Sequence, residues 1–132
     1  PAAHFKRRTQ MYIKLDKEYE IKTTLGTIRE IEKVFGESFF EIINDISSMK
    51  IEEQIRLLYV GAKKADSALS EDAFVSACED CLGIGDLMEY LEKYFYALQY
   101  PGLSDEEVQE KIGKKLERSK ELRDYRDSVG RK

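Results

Sequence analysis

Two cysteines, Cys78 and Cys81, have the spacing of residues that could bind a metal or form a redox pair. Zinc needs four ligands, but the chain has no second pair of cysteines, and its one histidine, His4, lies in the first ten residues. A redox pair would lie between a strand and a helix, whereas both cysteines fall on the apolar stripe of one predicted helix. We therefore expect two buried, small hydrophobic residues, and an intermolecular disulfide in vitro stays open as an alternative.

The other candidates for catalysis are paired carboxylates and a turn rich in glycine. No serine or cysteine has a candidate base, because the sequence has no histidine beyond the first ten residues. Adjacent acids such as Glu52 and Glu53 are typical of solvated helix faces and first turns. Gly83 and Gly85 are too close together for a phosphate loop and follow a helix instead of a strand. The sequence predicts a protein that is not an enzyme and that binds no cofactor or metal.

Aromatic residues are concentrated on one predicted helix near position 95, in larger number than a core usually holds. In one interpretation Phe95 belongs to the core and the tyrosines lie half-buried with their hydroxyls in water. In the other they line a groove for an apolar partner helix, because aromatic residues are enriched in interface cores. Under the second interpretation, the predicted partner-binding residues are Phe39, Phe40, Tyr90, Tyr94, Phe95, Tyr96 and Tyr100.

A central helix over residues 51–65 is predicted to organise the elements that position these side chains. Its apolar residues recur at alternating steps of four and three, which draws one stripe down a helix. Leu57 and Val60 widen that stripe, so we expect neighbours on more than one side. The residues of the predicted stripe are Ile51, Ile55, Leu58, Ala62 and Ala65.

Alternation and capping residues predict the elements around the central helix. Apolar and charged residues alternate over 11–23, which indicates two short strands, with a disordered or helical start as the alternative. Side chains that can accept a hydrogen bond precede each predicted helix, and Ser104 with Glu107 forms a capping box. The predicted N-caps are Thr24 or Thr27, Ser38, Ser48, Ser70, Asp86 and Ser104.

These elements predict a mainly α protein, a compact bundle of about five to six helices with a possible short N-terminal β-hairpin and a charged C-terminal helix. We expect residues 1–10 to be a vector-derived leader, because they precede a methionine and share no pattern with the rest of the chain. Residues 11–103 form the predicted helical core domain, and 104–132 the charged C-terminal helix and tail.

The charge balance argues against nucleic acid as a partner. Without the predicted leader, which holds Lys6, Arg7 and Arg8, 19 basic groups remain against 26 acidic ones, a net of −7. Neutralising phosphates requires clustered Lys and Arg, which such a chain lacks. No apolar run approaches the ~18 residues of a membrane span. We expect a cytoplasmic protein that contacts neither nucleic acid nor membrane.

The order of these blocks resembles that of the tail assembly chaperones of long-tailed phages of Gram-positive bacteria, the lactococcal-phage type in particular. The similar blocks are residues 11–38, MYIKLDKEYEIKTTLGTIREIEKVFGES, and residues 55–66, IRLLYVGAKKAD, followed by the helix predicted to begin at Ser70. Together they cover roughly Met11 to Leu98. Within them, Leu57, Leu58, Tyr59 and Gly61 match the family pattern.

The resemblance implies a binding role without chemistry in the host cell cytoplasm. Such chaperones coat the long helical tape measure protein and keep it soluble until the tail tube polymerises around it. The implied partners are the tape measure protein, further copies of this chain and, as a third candidate, the tail tube protein. The family defines no active-site residues that could be carried over to this sequence.

Two other functions stay open at this stage. A small helical DNA-binding regulator has helices of similar length, but no predicted helix carries several basic residues on one face without intervening acids. An unrelated helical adaptor that binds other proteins would share the same composition. Mixing the chain with duplex DNA at low and moderate salt would separate the regulator from the other two.

Overall fold

Five α-helices and an N-terminal β-hairpin make up the part of the protein that the computed structural model describes, residues 10–100 with Glu106, Glu107 and Glu110. Strands β1 and β2 are followed by helices α1 to α5. A single turn of 3₁₀ helix, Ile46–Ser48, follows α2. The bounds are Gln10–Lys14 for β1, Glu18–Lys22 for β2, Leu25–Phe35 for α1, Phe39–Asp45 for α2, Ile51–Ala65 for α3, Glu71–Cys81 for α4 and Ile84–Gln99 for α5. The predicted mainly helical fold with a short hairpin is therefore confirmed.

The hairpin is antiparallel, with Ile13 opposite Tyr19 and Met11 opposite Ile21. These four side chains are buried, because alternate residues of each strand face the helices. The Tyr19 ring meets Phe74 of α4 edge-on, with the ring centroids 5.5 Å apart. A lone hairpin is marginally stable in water, so its packing against the helices is what holds it.

Helix α3 is the centre of the core, as the sequence predicted. Its residues from Gln54 to Ala62 are almost all buried, because the hairpin, α1, α4 and α5 surround it. The first residue of the predicted stripe, Ile51, is an exception and is 46% exposed. Ile51 begins the helix, where the neighbouring elements no longer cover its stripe.

Two of the predicted caps differ in detail from the structure. Lys50, not Ser48, is the N-cap of α3, and the Ser48 hydroxyl donates to the backbone carbonyl of Asp45 at 2.9 Å. Gly83 is the N-cap of α5, and Asp86 lies three residues on, where its carboxylate accepts from the Gly83 N–H at 3.0 Å. An acid three residues after an N-cap can accept the N–H of the cap residue, as Asp86 does here. In the sequence such an acid looks like an N-cap itself, which is why Asp86 and not Gly83 is the predicted cap.

The caps at Ser38 and Ser70 are confirmed, since each hydroxyl accepts a backbone N–H at the start of its helix. Thr24 is the N-cap of α1 without a side-chain hydrogen bond, whereas the Thr27 hydroxyl donates to the Lys22 carbonyl at 2.8 Å. The box predicted at Ser104 lies outside the described residues. So does most of the predicted C-terminal helix.

Gln54 joins α3 to the 3₁₀ turn that precedes it. Its side-chain amide is buried and donates to the Ile46 carbonyl at 2.8 Å. This contact fixes the position of Ile46, which lines a groove at the surface of the molecule. Within the described residues no helix is both long enough and apolar enough to cross a membrane.

Candidate interaction surface

Helix α5 carries most of the predicted partner-binding residues, but its periodicity divides them between the core and the surface. Tyr94 is completely buried, because it continues the inward stripe of Leu87, Leu91 and Leu98. Burial also raises the pKa of Tyr94 above its usual value, so the phenol stays neutral. Tyr94 therefore offers no surface to a partner in this fold.

Phe39 and Phe95 are also buried, at 3% and 8% exposure. The centroids of their rings lie 6.0 Å apart, which joins α2 to α5. Phe40 is 73% exposed, and its ring lies against Phe39 with the centroids 5.9 Å apart. Of the two adjacent phenylalanines, one thus serves the core and the other faces solvent.

The three remaining tyrosines keep part of their surface in water. Tyr90 is half-buried, and its hydroxyl accepts the backbone N–H of Lys14 in β1 at 3.3 Å. Tyr96 is half-buried and Tyr100 is exposed. Three of the seven predicted residues are therefore core residues, and the others do not form one continuous aromatic surface on α5. Their role in binding stays a prediction.

Two apolar grooves lie instead along α5, from its first turn to Phe95. Groove A has a volume of about 410 Å³ and runs between the starts of α3 and α5 and the end of α4. Exposed Ile51 and Ile84 stand at its edges, and the partly buried Leu82 lies in its wall. Its lining residues are Ile51, Ile55, Cys78, Glu79, Leu82, Gly83, Ile84 and Leu87.

Groove B has a volume of about 450 Å³ and lies between α5 and the 3₁₀ turn. Met88, which is 36% exposed, is its most accessible apolar side chain, and Phe95 closes its far end. Met88 follows Ile84 by one helical turn, so the two grooves are neighbours on α5. The lining residues are Ile46, Ser47, Gly85, Met88, Glu89, Leu91, Glu92 and Phe95.

Carboxylates lie beside both grooves, Glu79 in the lining of groove A and Glu89 and Glu92 in that of groove B. Residues 79–92 carry five carboxylates and no lysine or arginine. Within the described residues none of the five takes part in an ion pair, since the ion pairs there join Arg56 to Glu52 and Glu71. We call these five residues the acidic rim: Glu79, Asp80, Asp86, Glu89 and Glu92. An apolar helix with basic flanks has the chemistry that complements this surface.

Neither Ile84 nor Met88 is among the partner-binding residues predicted from the sequence. Ile84 lies between two glycines that predict a turn after α4. In the structure α5 begins at Ile84, which extends the helix by one exposed apolar residue. The spacing of four between Ile84 and Met88, on a face beside the inward stripe, was the signal that could have identified them.

The cysteines differ from the prediction in one respect. Cys78 is buried as predicted and forms part of groove A. Burial, followed by the neighbouring Cys81 and Glu79, raises the pKa of the Cys78 thiol to about 12. Cys81 is exposed, because the last turn of α4 extends beyond the elements that cover Cys78.

This difference predicts that a thiol reagent at pH 8 modifies one cysteine of the native protein quickly and the other only on unfolding. The thiolate is the reactive species, and Cys78 is both covered and held protonated. Mass spectrometry after a brief treatment with iodoacetamide should find one adduct per chain, located on Cys81. A C81S variant should lose that rapid adduct. Two rapid adducts on the native wild-type chain would contradict the burial of Cys78.

Among the described residues no cluster of three or more His, Cys, Asp or Glu side chains is arranged to hold a metal ion. Comparison of the chain with protein-family models, curated proteins and solved structures finds no match.

Proposed function

We propose that this protein is a non-catalytic chaperone that binds amphipathic helices, and that its client is a phage tape measure protein. The observation that carries the proposal is the pair of apolar grooves beside Ile84 and Met88, whose linings include carboxylates of the acidic rim. The resemblance of the sequence blocks to tail assembly chaperones supplies the identity of the client.

The chemistry of the surface suits a helical client. A helix lying along α5 would place one apolar residue per turn against groove A and then groove B. Lysine and arginine beside its apolar stripe would meet the acidic rim, which favours fast encounter and a defined orientation. Ile84 and Met88 would lose their contact with water, which supplies the apolar driving force.

The same surface would allow the complex of chaperone and client to stay soluble. A tape measure helix alone exposes its apolar stripe, and covering that stripe with a protein of net negative charge limits aggregation. We further propose that several copies line one long client in the host cell cytoplasm. In this proposal, the tail tube protein displaces them as it polymerises.

Co-expression with a tape measure protein tests this proposal. We expect the tape measure protein to move from the insoluble fraction into the soluble one, and to co-purify with the tagged chain. A helical protein of similar size and charge, expressed in place of the chain, controls for dilution and expression level. A client that stays insoluble with both proteins would contradict the proposal.

A further inference from the structure

We propose that grooves A and B are the docking site of this chain's own C-terminal segment, residues 104–126, folded back antiparallel to α5. The occupant follows from three observations on the chain. They are the pattern of charge along the segment, the spacing of its apolar residues, and the shortness of the connection that joins it to α5.

Charge changes sign along the segment in the sense that an antiparallel arrangement requires. Residues 104–110 hold four acids and no base, whereas 111–126 hold seven bases and three acids, a net of +4. On α5 the carboxylates lie in the first half, and residues 93–100 hold none. Folding back therefore brings the basic part of the segment beside the acidic rim. It brings the acidic part of the segment beside residues 93–100, where there are no carboxylates to repel it.

The apolar residues of the segment suit groove B, because in the antiparallel arrangement Ile112 and Leu116 come level with the part of α5 from Gly85 to Phe95 that lines it. Val108, Ile112 and Leu116 recur every four residues, which predicts a narrow stripe on one face of a helix. Such a stripe is too narrow for burial on several sides and suits a helix that lies in a groove. Glu106 and Glu107, which the structure describes, are helical and exposed, as expected for the solvent face of such a helix.

The connection is short enough to fix the alignment. Helix α5 ends at Gln99 and Glu106 is already helical, which leaves six residues between them, within the length of helix connections in bundles. Met88 precedes Gln99 by 11 positions, and 11 positions after Glu106 is residue 117. Both helices rise about 1.5 Å per residue, so Leu116 comes level with Met88 to within about one residue.

A tethered segment binds its own groove in preference to that of a second copy, because the tether raises its effective concentration to the millimolar range. Docking within the chain does not depend on the identity of any client. Under the proposed function it has a consequence, because the segment and the client helix compete for one surface. The segment would then cover the apolar grooves until a client displaces it.

Disulfide trapping in the full-length chain tests this docking. The variant carries M88C and L116C, with C81S to remove the exposed native thiol, and Cys78 is kept because it is buried. Under mild oxidation we expect an intramolecular disulfide, formed at least about tenfold faster than in a control that pairs Y12C with L116C. Tyr12 is exposed on β1 and lines neither groove.

Raised salt should slow the M88C–L116C reaction, since screening weakens the attraction between the basic segment and the acidic rim. The same variant with K114E and K115E should lose most of its rate advantage over the control pair. Equal rates for the two cysteine pairs, or disulfide-linked dimers in place of monomers, would overturn the proposal. The assay contains no client, so its failure is distinguishable from a failure of the chaperone proposal.

Discussion

Replacing Gly61 by alanine is expected to lower the free energy of unfolding by about 1–2 kcal/mol, although alanine normally stabilises a helix. In an exposed helix interior, replacing glycine by alanine raises the free energy of unfolding by about 1 kcal/mol. At Gly61 a Cβ atom would lie 2.6 Å from Cγ2 of Ile21 and 2.9 Å from the hydroxyl oxygen of Tyr94. Overlap of this kind in a packed core costs about 1–3 kcal/mol or more and reverses the sign.

The overlap is difficult to relieve because both neighbours are fixed. Ile21 is a fully buried, β-branched residue of β2, and its Cγ2 is attached directly to Cβ. Tyr94 is fully buried on α5. Gly61 is thus the point where the hairpin and α5 both approach α3, and a side chain there would separate three elements.

Urea unfolding of G61A and of G85A, monitored by circular dichroism, measures the effect. Gly85 is a matched control because it is also helical, yet a Cβ there would meet no atom within 4 Å. We expect G85A to be neutral or more stable by up to about 1 kcal/mol. A G61A variant that is as stable as the wild type would contradict the close packing at this residue.

Gly61 also shows how far the sequence alone reaches. Apolar periodicity identified α3 as the central helix, and alternation identified the hairpin, because each pattern records which face of an element is buried. Which residue of α3 touches Ile21 and Tyr94 depends on the docking of three elements that are distant in sequence. No local pattern encodes such a contact.

The candidate site was harder to predict for a related reason. An aromatic residue does not by its type reveal whether it is buried, although Tyr94 continues the stripe of Leu87, Leu91 and Leu98, so periodicity could have separated it from Tyr90. The grooves arise where helix ends leave a gap, between Ile51 and Ile84 for example. The acidic rim, by contrast, is contiguous in the sequence and could have been noticed there.

Under the proposed function, replacing both Ile84 and Met88 by lysine is expected to reduce co-purification of the tape measure protein about 10- to 100-fold. Ile84 is 62% and Met88 36% exposed, so covering both buries about one full apolar side chain, which contributes about 1.5–3 kcal/mol, or roughly 10- to 100-fold in affinity. The two lysines would also repel the basic flanks that we expect on the client. Quantitative pull-down from cells that co-express the two proteins measures the loss.

A Y12K variant controls for the added charge, because Tyr12 is 48% exposed and is paired across the hairpin with Glu20, opposite which a lysine is favourable. It should bind the client as the wild type does. Thermal unfolding of both variants should stay near that of the wild type, since all three positions are partly in water. If I84K/M88K binds as well as Y12K while remaining folded, the client does not use these grooves, and the surface proposed for it must lie elsewhere on the chain.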